Sequence, residues 1–234
     1  MNLTVTGLHA GYAGSEVLHG ISLSVREGEA VVILGPNGHG KTTLLRAISG
    51  LVRPTAGRVE ADGRDLTGLP AEAVVAAGIS HIPQGDLPFP EMTVLENLLM
   101  GAYLPDAWRE RREKLDRVYA LFPRLAERRG QLARSLSGGE RRMLAIGRGL
   151  MGRPRLLIVD EPSLGLAPLV IEQVYAAIRD IRKTGLSILL ADENAGHVAG
   201  LADRVCLLEA GAFVREGPVE EMLRDRAILA AYLG

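Results

Sequence analysis

Hydrophobic and polar positions alternate through the first 28 residues. Leu3, Val5 and Leu8, then Val17, Leu18, Ile21, Leu23 and Val25, carry the apolar positions, with Gly11 and Gly14 as turn signals between the two runs. That spacing predicts two half-buried strands. Continuous apolar runs follow at Ala30–Leu34 and Leu156–Val159, and Leu186–Ala191 is apolar but for Ser187. Each is too short for a helix and apolar on both faces, so each predicts a fully buried strand. Weaker strand signals stand at Arg58–Ala61, closed by Asp62-Gly63, and at Ile79–Pro83. Arg204–Glu209 and Ala212–Glu216 predict a hairpin around Ala210-Gly211.

Helical signals fall elsewhere. Leu44–Ile48 and Ala71–Ala77 predict short helices. A helix starts at Thr93, where Thr93 and Glu96 have the spacing of a capping box. Arg109–Phe122 reads as a charged amphipathic helix and Leu125–Leu132 as a third. Helices are also predicted over Arg141–Leu150, after the loop Ser163–Pro168 as far as Lys183, from Asn194 through Ala202, and along the tail Pro218–Leu233. Strands therefore occupy residues 1–92 and 154–234, and only helices occupy 93–153. The arrangement predicts one α/β chain: a mixed sheet with flanking helices, an N-terminal antiparallel β part, and a helical insertion.

The bulk properties narrow the picture. A chain of 234 residues suffices for one large α/β domain. Its net charge of −1 and 4% aromatic content give no basic, aromatic-interleaved surface, so no nucleic acid is expected as a partner. No apolar run approaches the ~18 residues of a membrane span, and Met1–Thr6 does not read as a secretory leader, so a cytoplasmic location is expected. Cys206, the single cysteine, lies in the apolar run Val205–Leu208 and reads as a packing residue.

Chemistry enters at Gly35-Pro36-Asn37-Gly38-His39-Gly40-Lys41-Thr42-Thr43, which fits G-x-x-x-x-G-K-[ST] between the Ala30–Leu34 strand and the Leu44–Ile48 helix. Glycines let successive N–H groups turn toward phosphate oxygens, and the helix N-terminus adds partial positive charge. Lys41 can reach the β- and γ-phosphates, and the Thr42 hydroxyl can ligate Mg²⁺. The strand Leu156–Val159 ends in Asp160-Glu161. An acid pair there suits Mg²⁺ binding by Asp160 and polarisation of the attacking water by Glu161. Gln84 ends another strand and opens a Pro- and Gly-rich loop, either a plain surface loop or a hinge that faces a ligand. Leu136-Ser137-Gly138-Gly139-Glu140 reads as a second capping box and equally as a second anion site. One ATP does not need two such sites from one chain, so Ser137, Gly138 and Gly139 suit an ATP held by a second chain placed head to tail. Tyr12, in the first turn, suits either stacking on a purine or local packing.

These motifs, in this order, resemble the ATP-binding subunit of an ABC transporter, and the resemblance covers essentially the whole chain. It implies a P-loop ABC ATPase core, ATP and Mg²⁺ as cofactors, and an ATP hydrolase. Tyr12 would stack on adenine; Gly35 to Thr43 would cradle the phosphates. Gln84 would sense the γ-phosphate and Mg²⁺, and Glu161 would be the general base. Asp160, Thr42 and Gln84 would serve the metal. The partners implied are membrane permease subunits, a second ATP-binding subunit (identical or a sister chain) and, indirectly, a periplasmic solute-binding protein, with the chain peripheral on the inner face of the cell membrane. The Gln84 loop and the helical insertion would form the groove that receives the permease.

Met143-Leu144-Ala145-Ile146-Gly147-Arg148, Glu161-Pro162-Ser163-Leu164-Gly165-Leu166-Ala167-Pro168 and Leu121-Phe122-Pro123-Arg124-Leu125 resemble the branched-chain amino-acid importer subgroup. Importers of urea and short-chain amides share much of this pattern, and non-transport ABC ATPases remain a rival reading. Two positions depart from the family pattern. Asp192-Glu193-Asn194 puts Glu193 at the switch position, where histidine or glutamine is usual. A carboxylate at about 4 Å from a γ-phosphate oxygen would meet roughly 4 kcal/mol of repulsion at an effective dielectric of about 20. His39 stands where a small P-loop residue is usual, either as a solvent-facing side chain or as compensation for Glu193.

Overall fold

The computed structural model describes residues 1–85 and 88–225. Ten strands and nine α-helices were assigned among them. β1 (Leu3–Tyr12), β2 (Ser15–Val25), β4 (Ala56–Ala61) and β5 (Arg64–Asp65) form an antiparallel sheet in the order β2-β1-β4-β5. β3 (Ala30–Leu34), β6 (Ile79–Ile82), β7 (Leu156–Asp160), β8 (Ser187–Asp192), β9 (Arg204–Glu209) and β10 (Ala212–Pro218) form the second sheet, in the order β10-β9-β3-β8-β7-β6. Its neighbours are parallel from β9 to β6, and β10 adds antiparallel at one edge.

Alternation along the buried strands divides the core between two faces. Val31 and Ile33, with Leu156 and Ile158, pack toward the antiparallel sheet and α1 (Lys41–Ile48). Val32 and Leu34, with Leu157 and Val159, pack toward α7 (Gly138–Leu150) and α8 (Pro168–Lys183). Cys206 is buried and unpaired, and burial pushes its thiol up to about 12, as a packing role requires.

The remaining helices are α2 (Ala71–Ala76), α3 (Val94–Gly101), α4 (Pro105–Arg109), α5 (Arg111–Leu121), α6 (Pro123–Glu127) and α9 (Val219–Met222). Both predicted capping boxes form. Thr93 Oγ1 and Ser137 Oγ accept from the amides of Glu96 and Glu140, and each glutamate reaches back to the cap residue's N–H.

Several predicted helix limits are corrected. The helix expected over Arg109–Phe122 is two, α4 and α5, separated at Glu110 (φ −92°, ψ 5°), because Pro105 nucleates its own turn. The helix expected over Leu125–Leu132 stops at Glu127. The carbonyls of Arg129 and Gln131 instead accept from Leu95 and Val94, whose amides open α3 and have no partner within that helix. The stretch from Asn194 through Ala202 contains only a 3-10 turn, Ala195–His197, capped by the Asn194 side chain. Gly200 follows in the left-handed region (φ +72°). Of the predicted tail helix, Val219–Met222 is helical, and residues beyond 225 lie outside the described residues. Tyr12 is not in the first turn: it ends β1 opposite Ser15, and Ala13-Gly14, both with positive φ, make the turn.

Candidate functional site

Strand register builds the site. Leu34 lies beside Asp192 and Leu207, Asp160 beside Ala191, and Ile82 beside Val159. The carboxyl ends of the parallel strands thus form one row, the position at which open α/β sheets hold ligands. Residues 35–40 leave β3 at this row and enter α1. A Cβ on Gly35 would lie 2.4 Å from the carbonyl oxygen of Leu208, and Gly40 has φ +106°, so neither position accommodates another residue without backbone movement.

Lys41 is buried (3% exposed) and its ammonium uses all three donors. It donates to the carbonyls of Gly35 at 2.7 Å and Pro36 at 3.1 Å, and lies 3.1 Å from Glu161 Oε1. Gln84 Nε2 donates to the other oxygen of the same carboxylate at 2.9 Å. Glu161, 4% exposed, has a left-handed backbone (φ +44°), and its N–H donates to Ala191 O at 2.9 Å. A non-glycine residue in that region costs on the order of 1 kcal/mol. The turn aims the Glu161 side chain at Lys41 and not into the core.

Asp160 is fully buried, and neither carboxylate oxygen has a hydrogen-bond partner. Burial pushes its carboxyl up to about 6; the Glu161 charge adds to this, and the nearby Thr42 hydroxyl, Lys41 and Arg46 oppose it. A buried carboxylate with free lone pairs beside a hydroxyl fits an oxygen-seeking divalent cation. Among the described residues no group of three or more His, Cys, Asp or Glu side chains could hold a metal alone. That donor set suits Mg²⁺, which takes one or two protein ligands and fills its shell with phosphate and water.

The two departures from the family pattern are resolved separately. Glu193 Oε2 accepts from the Asn37 amide at 2.6 Å. His39 does not meet Glu193. Its Nδ1 accepts from Ala210 N at 3.2 Å and its carbonyl from Gly211 N at 3.1 Å. Of the two readings of His39, compensation of Glu193 finds no contact here: His39 ties the P-loop to the β9–β10 turn, and an uncharged P-loop amide holds the glutamate. Tyr12, half-exposed at the end of β1, accepts from Arg46 Nη1 at 3.4 Å, which sets its ring beside α1.

Ser137, Gly138 and Gly139 stand apart from this row. Ser137 is occupied by its capping box, Arg128 holds Glu140 at 3.0 Å, and Cβ atoms on Gly138 and Gly139 would meet Leu166 and Val170. None of these contacts reaches the P-loop.

Sequence reasoning missed the cluster around Asp192. Its buried carboxylate accepts from Tyr175 Oη, from Ser163 Oγ at 3.4 Å and from the amides of Glu193 and Asn194, and lies 3.3 Å from His197 Nδ1. It joins α8, the loop after β7 and the Glu193 segment. The signal was an acid at the end of a buried strand; Tyr175, on a helix face, carried none.

This fold and this row of side chains define an ATP-binding cassette. The ABC transporter family pattern matches residues 18–164, and the chain belongs to that family. It is an ABC-type ATP hydrolase that binds adenine nucleotide; subunits of this kind dimerise and work with membrane permease components. It is 41% identical over 223 residues, 95% of each chain, to BraG of Pseudomonas aeruginosa, a high-affinity branched-chain amino acid transport ATP-binding protein. It is 34% identical over 234 residues to LptB of Haemophilus influenzae, a lipopolysaccharide export system ATP-binding protein, covering 99% of this chain and 97% of that one. Among solved structures, a nucleotide-free ATP-binding cassette from an ABC transporter superposes with a TM-score of 0.86 at 28% identity over the whole of both chains. Among the described residues no helix is long and apolar enough to cross a membrane.

Proposed function

We propose that this chain hydrolyses ATP to drive import of branched-chain or related amino acids through a separate membrane permease. The observation that carries the catalytic part is the Lys41–Glu161–Gln84 arrangement beside an unpartnered Asp160. In this reading Lys41 exchanges the Gly35 and Pro36 carbonyls for β- and γ-phosphate oxygens. Glu161, released from Lys41, accepts a proton from the attacking water, and Gln84 keeps its carboxylate oriented. Thr42, Asp160 and Gln84 would hold Mg²⁺, which would supply charge neutralisation on the phosphates. Glu193 stays on Asn37, away from the γ-phosphate. Tyr12 stacks on adenine. Ser137, Gly138 and Gly139 close on the ATP of a second ATP-binding subunit, identical or sister, in a head-to-tail dimer; their separation from their own P-loop supports this. The chain works at the cytoplasmic face, and a periplasmic binding protein acts on it only through the permease.

The 41% identity to BraG supports amino-acid import. The identity to LptB favours a second reading, energising an exporter. Reconstitution of the chain with its permease in vesicles separates them. Leucine, isoleucine or valine, with the cognate binding protein, is expected to raise ATP hydrolysis severalfold and to accumulate in the lumen. Stimulation by lipopolysaccharide and by no amino acid would overturn the import reading.

A further inference from the structure

Glu193 Oε2 lies 2.6 Å from the Asn37 side-chain amide of the P-loop, so its carboxylate stands at the edge of the phosphate cradle. Glu161 in that cradle faces the Lys41 ammonium at 3.1 Å. Glu193 faces a neutral amide, which supplies no charge to offset its own. A carboxylate left free at this place would approach the oxygens of a bound triphosphate, and like charges repel. Geometry must therefore keep Glu193 in place, and that geometry starts one residue earlier.

Asp192 ends β8 and is fully buried. Its two oxygens serve different neighbours. Oδ1 accepts from the amides of Glu193 at 2.7 Å and Asn194 at 3.1 Å, and from Ser163 Oγ at 3.4 Å. A side-chain oxygen bonded to the amide two residues on closes an Asx turn, which fixes the backbone at the residue between. That residue is Glu193. Oδ2 accepts from Tyr175 Oη on α8 and lies 3.3 Å from His197 Nδ1. Tyr175 is itself buried, and its ring packs on His197 with centroids 4.8 Å apart. With Oδ2 anchored to α8 the carboxyl plane is held, so Oδ1 stays on the two amides. A buried network in which each oxygen is matched specifies one arrangement. Asn194 Oδ1 then accepts from Gly196 N at 2.7 Å, which starts the short turn that carries His197 back to Tyr175.

We infer that Asp192, anchored by Tyr175, is a positioning residue for ATP hydrolysis: its turn holds Glu193 on Asn37 and out of the γ-phosphate site. Ser163, two residues after Glu161, bonds to the same oxygen, so the loop after β7 and the Glu193 segment share one anchor. The inference rests on the reading that the cradle binds ATP with Glu193 away from the γ-phosphate, and it names what keeps Glu193 there.

The test compares binding of a non-hydrolysable ATP analogue and of ADP by calorimetry, because only the first carries a γ-phosphate. Asp192→Asn keeps the side-chain shape but leaves one acceptor oxygen where there were two. It is expected to weaken the ATP analogue about 10-fold through the freed Glu193 charge, with ADP affinity unchanged. Turnover at saturating ATP is expected to fall about 10- to 100-fold, as misplacement near a reacting group does. Adding Glu193→Gln to Asp192→Asn should restore both, because it removes the repelling charge. Tyr175→Phe, which loses one hydroxyl, should show the same pattern at about 3-fold, and it reads the same anchor should Asp192→Asn fail to fold. Equal weakening of ADP and the ATP analogue, no change in either variant, or no restoration by Glu193→Gln overturns the inference. In the otherwise unchanged chain, Glu193→Gln should alter affinity for the ATP analogue less than about 2-fold. A gain there as large as in the Asp192→Asn background would place Glu193 against the γ-phosphate already, and would sink the underlying reading as well.

Discussion

At the carboxyl ends of the parallel strands, Lys41 and Gln84 satisfy the two oxygens of Glu161, and Asn37 holds Glu193. In a groove beside α7, Arg148 and His81 each keep a buried nitrogen with no partner among the described residues. Both regions enclose charge, but the first has folded its own stand-ins around it. On the proposed reading, Glu161 and two P-loop carbonyls occupy the positions on Lys41 that phosphate oxygens would take. A ligand entering the cradle must therefore break existing bonds, and its net gain is a difference between similar interactions. A partner entering the groove breaks nothing and removes an existing cost. Only Asp160 within the cradle behaves as the groove does, with both oxygens unmatched. In both regions the unmatched atom marks where an outside group is required.

Substitutions can separate the two regions. The largest effect is expected for Glu161→Gln, which keeps the shape of the cradle and removes the base. Turnover measured by phosphate release should fall about 10²–10⁴-fold while nucleotide binding survives. Near-normal turnover would rule out Glu161 as the base.

Lys41→Ala should weaken ATP binding itself, on the order of 100-fold by calorimetry, through loss of charge-assisted bonds. It also leaves Glu161 buried without its cation, so a smaller secondary loss of thermal stability is expected.

The third prediction concerns the groove and is read by pH. The folded-state pKa of His81, about 4, lies below its ordinary 6.5, so between these values the unfolded chain binds the extra proton. The His81 contribution is fully present above pH ~6.5 and is lost as pH falls toward 4, by roughly 3 kcal/mol at most. Urea unfolding of wild type and His81→Gln across that window isolates it. Parallel pH dependence in the two proteins would show that His81 is not held neutral by the fold.

Features set by near neighbours were legible in the chain. The buried strand before the P-loop, the glycine turn and both capping boxes involve residues within a few positions of one another, and periodicity and spacing report such contacts directly. The helix over Leu125–Leu132 was misread for the converse reason. Its local pattern is helical, but the Arg129 and Gln131 carbonyls are taken by the first turn of α3, more than 30 residues earlier. Tertiary demand for hydrogen bonds outweighed a local preference worth only a few tenths of a kcal/mol per residue.

By itself the sequence singled out the candidate residues for the chemistry: a phosphate-loop pattern, an acid pair at a strand end, a glycine-rich helix start and an unusual Glu193. It also determined the division into an α/β body and a helical insertion, because each depends on short-range pattern. Only the tertiary structure decided who meets whom. The strand order β9-β3-β8-β7-β6 brings Lys41 to 3.1 Å and Gln84 to 2.9 Å from the two oxygens of Glu161, all three widely separated in the chain. It turns His39 to the Ala210 amide and gives Glu193 to Asn37. It also leaves Arg148 Nη1 and His81 Nε2 buried with no hydrogen-bond partner among the described residues. Pairing across such separations is set by sheet register and packing, which single-chain spacing does not encode.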